Sequence, residues 1–460
     1  MNLTKKIGAL LVLLPCALSL FAQSQKEWTL QECIQYAHEN NLDIKNQSLA
    51  IERDKNQLEQ SKWAIGPSVS ASANYGFGWG RTANPQDYTI IENRMSQSGS
   101  ANIGAGIDLF RGFQKSNTVK SNKVQLEISG QAVEKLKNDI SIRIAQAYLQ
   151  ILLAQEILET ARQSFESVQA QVERTQKLVD AGNLAHSSLL EIQAQLAAEK
   201  VQVVNAENSL RTTHLNLIHL LDLSNETDFR VEIPNIQVDT VGYWGASVDQ
   251  LYQTSQSLPQ ILIGEYSLQQ REYQLALSKG QRYPSFSVSA GVSSSYTPDY
   301  KVANKAESLE VNPDDLFRSP PFFEQINNKK NTSLGLSISI PIWSGRAIST
   351  NIRNAKLGVQ QAQIEMRNTQ QVLYKEIQQA NNDAISAFER YKATLQNVKS
   401  MEESFRYVQQ KLDIGLLSGT DYTVAKTNLF RGQSDNLQAK YQYVFQLKIL
   451  DFYKGIPITL

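Results

Sequence analysis

The residues that could do chemistry in this chain are few, and their spacing is unfavourable. His214 and His219 are five positions apart, so they would lie on different faces of a helix and could not bind one metal ion together. The glycine-rich stretch 76–80 alternates with aromatic residues, which is typical of a strand rather than of a phosphate-binding loop. Cys33 stands at an apolar position of a predicted helix and is predicted to be a small core residue. We therefore expect no enzyme, no metal and no cofactor.

The amino-terminal residues predict export from the cytoplasm. Two lysines precede the apolar run 7–21, and Ala22 follows it, so residues 1–22 have the pattern of a cleaved secretory signal. Cys16 could instead be a lipidation site, but Pro15 is a poor residue before such a cysteine. We favour removal of Cys16 with the signal, which leaves a single cysteine in the mature chain and no disulfide framework.

Charge and hydropathy narrow the choice of partners. The 45 basic residues balance the 45 acidic residues, and no basic cluster indicates nucleic acid or an anionic membrane surface. After the signal, no stretch has the roughly 20 uninterrupted apolar residues that a membrane helix needs. If the chain enters a membrane, we expect strands to carry it.

Four segments alternate apolar with small or polar residues at the period of a β-strand. The pattern occupies residues 68–79, 101–109, 286–293 and 333–342. They have 12, 9, 8 and 10 residues, close to the roughly 9 to 11 residues of a tilted membrane strand. A half-buried sheet in a soluble sandwich would show the same alternation, but aromatic residues gather at both ends of the segments, as two interfacial girdles would require. The expected interface aromatics are Trp63, Trp79, Phe110, Tyr283 and Trp343.

Four strands cannot close a membrane barrel. Unpaired backbone groups are costly in hydrocarbon, and known closed barrels begin at about eight strands. A dimer would supply eight strands and a trimer twelve, arranged by cyclic symmetry. The small, polar side chains of one strand face then predict a water-filled pore.

The chain is an internal duplication. Gly182 and Gly415 close two long helices and lie 233 positions apart (415 − 182 = 233), and the glycines that open these helices have the same separation. The prolines before the first strand of each half are 217 positions apart (284 − 67 = 217), so the second half has 16 extra residues between its strands (233 − 217 = 16). We expect this insertion in a hairpin loop, and we expect the repeats to occupy residues 23–240 and 241–460.

Each half carries one very long helix. Apolar residues step by three and four through 144–179, and the same register returns in 377–412, which is typical of a coiled-coil seam. About 68 helical residues between 112 and 182 would extend about 100 Å, more than a compact domain holds. Shorter helices are predicted before the strands, over 30–63, and after the turn, over 189–221.

The turns that end the long helices are typical of helical hairpin tips. A glycine stands where a residue of left-handed conformation belongs. Ser188 and Glu191 predict a capping box that restarts the first returning helix. A plain antiparallel turn would be sufficient to explain this pattern. An apolar leucine at a solvent-facing tip is better explained by a docked partner.

These features together resemble the trimeric outer-membrane efflux channels of the TolC family, across essentially the whole mature sequence. Residues 28–37 (WTLQECIQYA) and 40–44 (NNLDI) are similar to the first helix of that family. Residues 258–261 (LPQI) look like the second copy of this helix, and the two Gly-Leu tips match as well.

The resemblance implies an α+β membrane protein that forms a homotrimer. A twelve-strand transmembrane β-barrel would lie among the lipids of the outer membrane of a Gram-negative bacterium, continuous with a coiled-coil α-helical barrel in the periplasm. Substrates would pass without chemistry from an inner-membrane pump of the RND or ABC class, through a periplasmic adaptor protein. The residues expected to dock on the adaptor are Gly182, Leu184, Gly415 and Leu416.

The resemblance also suggests a gate at the periplasmic mouth. In relatives an acidic ring and a Tyr/Arg/Asp latch close the mouth, and Asp421 matches one ring position. Leu412, Leu417 and Val424 replace other members, and Ser188 stands where the first repeat would have an acid. We take Asp421 and Ser188 as the gate candidates, since three Asp421 carboxylates around a narrow axis would attract cations and repel one another. Alternatively, Asp421 is a solvated residue at the start of a helix.

One other function fits the same elements. A structural or adhesive coiled-coil protein anchored by a barrel would display its helices outside the cell. The favoured orientation instead puts the helices in the periplasm and the loops 80–98 and 297–331 outside. The sequence names neither the exported substrate nor the class of pump.

Overall fold

The computed structural model describes residues 27–83, 89–223, 229–234, 236, 247–298, 300–303, 317–414 and 416–460. The expected signal, Cys16 and Gly415 lie outside this part of the chain. The chain divides into two compact units. The first contains Met1–Leu42, Asp139–Ala246 and Ala380–Leu460, and the second contains Asp43–Asn138 and Ser247–Gln379.

The first repeat consists of a broken helix, a long β-hairpin and two helices joined by a tight turn. The elements are β1 (Glu27–Trp28), α1 (Leu30–Asn40), α2 (Leu42–Trp63), β2 (Ser68–Ala83), β3 (Ile90–Arg111), α3 (Gln114–Asp180), α4 (His186–Leu221) and β4 (Arg230–Val231).

The second repeat has the same order with additions in its hairpin. The elements are α5 (Val248–Thr254), α6 (Pro259–Gly280), β5 (Ser285–Tyr296), β6 (Val302–Ala303), β7 (Phe317–Arg318), α7 (Phe322–Asn328), β8 (Asn331–Ser339), α8 (Ala347–Asp413) and α9 (Gly419–Tyr453).

The long helices confirm the duplicated register. Helices α3 and α8 each have 67 residues, and their first residues are 233 positions apart (347 − 114 = 233). Each is preceded by a glycine with φ of +57°, Gly112 and Gly345. Among the described residues, none of the helices is both long and apolar enough to cross a membrane.

The helix expected over residues 30–63 is in fact two helices. Asn41 takes an extended conformation (φ −58°, ψ 130°) and separates α1 from α2. The break is held because the Asn41 amide donates to the Leu220 carbonyl at 3.2 Å and the Leu42 N–H donates to the Asp222 carboxylate at 3.0 Å. The second repeat breaks at the equivalent residue, Leu258, which is extended because a proline follows it.

The four expected strands form one antiparallel sheet in the second unit, in the order β2-β3-β5-β8. Both hairpins have the same register, since Ser68 faces Gly106 in the first and Ser285 faces Ser339 in the second. Adding 217 and 233 to the first pair gives the second pair. The fourth strand ends at Ser339 instead of residue 342. Pro341 lacks the N–H that would continue the ladder.

The two hairpin ends differ from the expected loops. The segment 80–98 is largely strand, because β2 continues to Ala83 and β3 begins at Ile90. In the second hairpin the insertion contains β6, β7 and the short helix α7, which contacts β5.

The core of the first unit follows the predicted coiled-coil seam. Ile144, Ile151 and Val168 of α3 are fully buried, as is Ala384 of α8. Ile377 of α8, which belongs to the second unit, is fully buried as well. At the amino-terminal end of this unit, the Tyr148 hydroxyl donates to the Glu232 carbonyl at 2.6 Å. This contact joins α3 to the segment that follows β4. Strand β4 itself pairs in parallel with β1.

Candidate functional site

The first helical tip has the expected C-terminal geometry. Gly182 has φ of +77°, its N–H donates to the Val179 carbonyl at 2.9 Å, and the Asn183 N–H donates to the Leu178 carbonyl at 2.8 Å. These two bonds form a Schellman motif, which satisfies carbonyl groups that the helix end leaves free. At the second tip the Leu416 N–H makes the equivalent bond to the Lys411 carbonyl, at 2.9 Å.

The apolar residues of the two tips are not equivalent. By the offset of 233, Leu184 corresponds to Leu417, and both are half-buried. Leu416 is 70% exposed and corresponds to Asn183, while the neighbouring Ile414 is 69% exposed. The exposed apolar surface therefore belongs to the second tip. The docking roles of Gly182, Leu184, Gly415 and Leu416 remain predictions.

The capping box lies in the second repeat instead of the first. Ser418 precedes α9, and its hydroxyl accepts from the Asp421 N–H at 3.2 Å, while the Asp421 carboxylate accepts from the Ser418 N–H at 3.3 Å. The prediction that Ser188 and Glu191 form a capping box is wrong. Helix α4 already begins at His186 after Ala185, which makes no side-chain cap, so Ser188 lies within the first turn.

The structure gives Asp421 a local role besides the predicted gate. Its carboxylate is exposed and also accepts from the Ser418 hydroxyl at 2.8 Å. Asp421 and the half-buried Ser188 occupy equivalent positions in the two repeats, separated by 233. Whether either residue contributes to a gate remains a prediction, while the helix-start alternative has direct geometric support.

The two hairpins pack through an apolar cluster in the first unit. Residues of α3, α4, α8 and α9 form it: Val168, Ile192, Phe405, Leu412, Tyr422 and Leu429. Near the turns, the Arg174 guanidinium lies 3.0 Å from the Asp413 carboxylate and ties α3 to α8.

Two opposite charges are buried beside this cluster. Lys426 of α9 is 8% exposed, and its ammonium lies 5.0 Å from the centre of the Phe405 ring. Glu199 of α4 accepts from the Gln195 amide at 2.6 Å, and its second oxygen has no hydrogen-bond partner within the described part of the chain. Burial lowers the pKa of Lys426, and the Glu199 charge opposes this shift.

One face of the sheet exposes a continuous apolar surface. Val69 and Phe77 of β2, Ile103 of β3, and Leu334 and Leu336 of β8 are all exposed on it. The other face carries the small and polar residues between them. This is the arrangement that a strand between lipid and water requires.

The predicted interface aromatics lie at the two ends of the sheet. Trp63, Trp79, Tyr283 and Trp343 are exposed, with Trp63 82% and Trp343 81% accessible. Phe110 is half-buried, because its ring contacts those of Phe113 and Phe286. Their role at a membrane interface remains a prediction.

Among the residues that the structure describes, no three His, Cys, Asp or Glu side chains converge to hold a metal ion. His214 is half-buried against Phe229, with 6.2 Å between the ring centres, and burial lowers its pKa. It lines an open surface groove with Arg162, which pairs with Glu207 at 2.8 Å.

Sequence comparison identifies relatives over nearly the whole chain. The family model described as outer membrane efflux protein matches residues 33–222 and 251–455. The proteases secretion protein PrtF of Dickeya chrysanthemi is 21% identical over 449 residues, which cover 94% of this chain and 89% of that protein. The outer membrane protein TolC of Vibrio cholerae is 21% identical over 424 residues, covering 91% and 88%.

A solved structure shares the fold. The crystal structure of the Campylobacter jejuni CmeC outer membrane channel superposes with a TM-score of 0.73 at 18% sequence identity. The match covers 93% of this chain and 85% of that chain.

Proposed function

The chain belongs to the outer membrane efflux protein family, and we propose that it passively conducts substrates that a periplasmic adaptor and an inner-membrane pump deliver to it. It is an outer-membrane efflux protein, and its relatives include secretion and channel proteins. We propose that transport involves no covalent step by this chain. The RND and ABC classes of pump both fit this role.

The observation that carries the proposal is the four-stranded sheet with two unsatisfied edges. Within the described residues, β2 and β8 each pair on one side only. Open edges cannot face hydrocarbon, because each unpaired backbone group costs several kcal/mol there. Pairing β8 of one chain with β2 of the next satisfies both edges. We propose a homotrimer, in which three sheets form a closed barrel of twelve strands.

The duplication supplies a specific register for this pairing. Inside the chain, Gly104 of β3 faces Gly291 of β5. Strand β8 repeats β3 at an offset of 233, and β2 precedes β5 by 217 positions. Adding 233 to Gly104 gives Ser337 of β8, and subtracting 217 from Gly291 gives Asn74 of β2. We therefore propose that Ser337 lies opposite Asn74 of the next subunit, with both side chains on the small, polar face.

Disulfide cross-linking tests the proposed assembly. Directly opposite residues of antiparallel strands have Cβ atoms about 4.5–5.5 Å apart, close to what a disulfide needs. We expect the double variant Ser337→Cys/Asn74→Cys to form chains linked into dimers and trimers in outer membranes under oxidising conditions. Non-reducing electrophoresis measures this. The buried Cys33 is present in every variant and serves as a common background.

The control moves one cysteine by two residues on the same face. Ser337→Cys with Ser72→Cys should link poorly, because diagonal neighbours are about 7–8 Å apart. A stronger cross-link in this control, or disulfides only within single chains, would contradict the proposed register.

We propose that the helical tips receive the adaptor. Support comes from Leu416 and Ile414, which expose apolar side chains at the second turn. When a partner covers these side chains, apolar surface is removed from water, and this favours association. The first tip offers Gly182 and the half-buried Leu184.

A further inference from the structure

Helix α7, in the insertion of the second hairpin, lies over the apolar face of the sheet. The Ser294 hydroxyl of β5 donates to the Ile326 carbonyl of α7 at 2.7 Å. The rings of Tyr296 and Phe322 have centres 5.0 Å apart. Ser294 and Tyr296 share the strand face that carries Val292, which is the apolar one. The helix therefore sits on the surface assigned to lipid.

Specific contacts hold α7 in this place. Gln325 is almost completely buried, donates to the Pro320 carbonyl at 3.0 Å and accepts from the Thr297 N–H at 3.1 Å. The Arg318 guanidinium donates to the Glu324 carboxylate at 2.8 Å. These contacts hold α7 through its polar side chains, and the Phe322 ring adds an apolar contact with Tyr296.

A groove of about 640 Å³ lies between α7 and the sheet. Its floor includes Ala71, Ala73 and Ala101, and its wall includes Phe323, Ile326 and Lys330. The small floor residues leave room that larger side chains would fill. The volume is within the roughly 300–1,000 Å³ of pockets that hold small ligands.

The residues around the groove combine exposed aromatic rings with positive charge. Phe323 is 83% exposed, which folding of this chain alone does not explain. Lys329 and Lys330 follow α7 directly, and the Lys329 ammonium lies 3.9 Å from the centre of the Tyr300 ring. Lys330 belongs to the lining of the groove, and Lys329 precedes it in the chain. An apolar groove with positive charge in and beside its lining matches a ligand that has an acyl chain and an anionic headgroup.

We propose that this groove binds an acyl chain of lipid A in the outer leaflet, with Lys329 and Lys330 at the lipid phosphate. The inference rests on the proposed barrel, which directs the apolar face to lipid. The groove is continuous with that face, whereas copies of this chain pair along the sheet edges. A lipid therefore fits this position better than a second copy does.

Lipid retention tests the proposal on the whole protein. Delipidated protein is reconstituted into phosphatidylcholine vesicles with and without added lipid A, released in mild detergent, and examined by native mass spectrometry. We expect retained lipid A on the unaltered protein. Lys329→Glu/Lys330→Glu should weaken retention by at least about fivefold for each lysine, since a lysine near an anionic membrane contributes about that factor.

A second variant fills the groove without changing charge. Ala101→Leu should displace the acyl chain, while its matched control Ala290→Leu, exposed on the same face but outside the groove lining, should not. The charge control is Lys392→Glu/Lys399→Glu, on the exposed surface of α8. Both controls should retain lipid A as the unaltered protein does.

The Ser337–Asn74 cross-link, introduced into every variant, separates the two proposals. An intact cross-link with lipid A lost only from the groove variants supports the lipid site. Equal retention in all variants with an intact cross-link overturns the lipid site alone. A missing cross-link in the unaltered background overturns the barrel, and the lipid site with it.

Discussion

Asp421 and Ser188 occupy the same position in the two repeats but make different contacts. Asp421 completes a capping box with Ser418, whereas the first repeat has Ala185 and Ser188 in these places and makes no such box. In the sequence, Asp421 is a gate candidate only by family resemblance, and the capping box predicted at Ser188 and Glu191 lies in the wrong repeat. Ser188 and Glu191 have the right spacing, but spacing alone does not say where a helix begins.

The first prediction concerns the cap of α9. Ser418→Ala should lower the local opening free energy of the first turn of α9 by about 0.5–2 kcal/mol, because a backbone N–H loses its acceptor. Ser188 is equivalent to Asp421 but lies in a turn without a side-chain cap. Ser188→Ala should therefore change the local opening free energy of the first turn of α4 by much less. Hydrogen exchange of the first-turn amides measures both.

A second prediction separates the cap from the gate. Asp421→Asn keeps an oxygen acceptor for the cap and removes the negative charge, so helix protection should change little. If three carboxylates form a cation-attracting ring, single-channel recordings of this variant should show reduced cation preference. Unchanged ion selectivity would leave Asp421 with its capping role only.

At the scale of elements, a glycine lies between the last strand of each hairpin and the long helix that follows it. Gly112 and Gly345 both have φ of +57°. A Cβ on Gly112 would lie 2.1 Å from the Gly280 carbonyl oxygen, while a Cβ on Gly345 would meet nothing within 4 Å of it in the single chain. By the duplication, the end of β8 is equivalent to the end of β3. Gly112 after β3 lies beside Gly280, whereas Gly345 after β8 has no such neighbour in the single chain.

The third prediction follows from this difference. Gly112→Ala should abolish folding of the sheet, because a backbone clash adds to the cost of about 1–2 kcal/mol for left-handed backbone at a residue with Cβ. Gly345→Ala should let the chain fold but impair assembly if a neighbouring subunit occupies the equivalent space. Yield of folded monomer and of trimer on electrophoresis distinguishes the two effects. Equal behaviour of both variants would contradict the inferred equivalence.

The elements were largely predictable because their periodicities are long and repeated. The ends of the long helices were fixed by glycines such as Gly182, and the strands by their alternation. The break at Asn41 was missed, since its stabilising partners, Leu220 and Asp222, are distant in sequence. Helix α7 was missed because seven residues are too few to show helical periodicity.

At the scale of the molecule, the duplication and the family resemblance led to the outer-membrane efflux assignment, which the comparisons confirm. The twelve-strand barrel and the docked adaptor were predictable only from the duplication and the resemblance. They depend on contacts between chains, and a single chain contains only one side of each such contact. The open strands β2 and β8 are the clearest example.

The fourth prediction concerns the tips. Leu416→Asp should reduce export strongly, because it places a charge in the exposed apolar surface proposed to meet the adaptor. Leu184→Asp should reduce export less by weakening docking, because Leu184 is already half-buried. Sensitivity of a deletion strain to an exported compound measures the effect, with the Ser337–Asn74 cross-link as the control for assembly. Normal export with Leu416→Asp would remove the tip-docking role.

The unequal helix starts have a consequence for how the mouth would move. The N-terminal N–H groups of α4 lack a side-chain acceptor, so this turn should unravel at a lower free energy than the capped start of α9. In the proposed trimer, three hairpins with a capped start of α9 and three hairpins with an uncapped start of α4 would alternate around the axis. A widening movement would then begin at the first-repeat hairpins, while the second-repeat hairpins keep their shape and carry the docked partner.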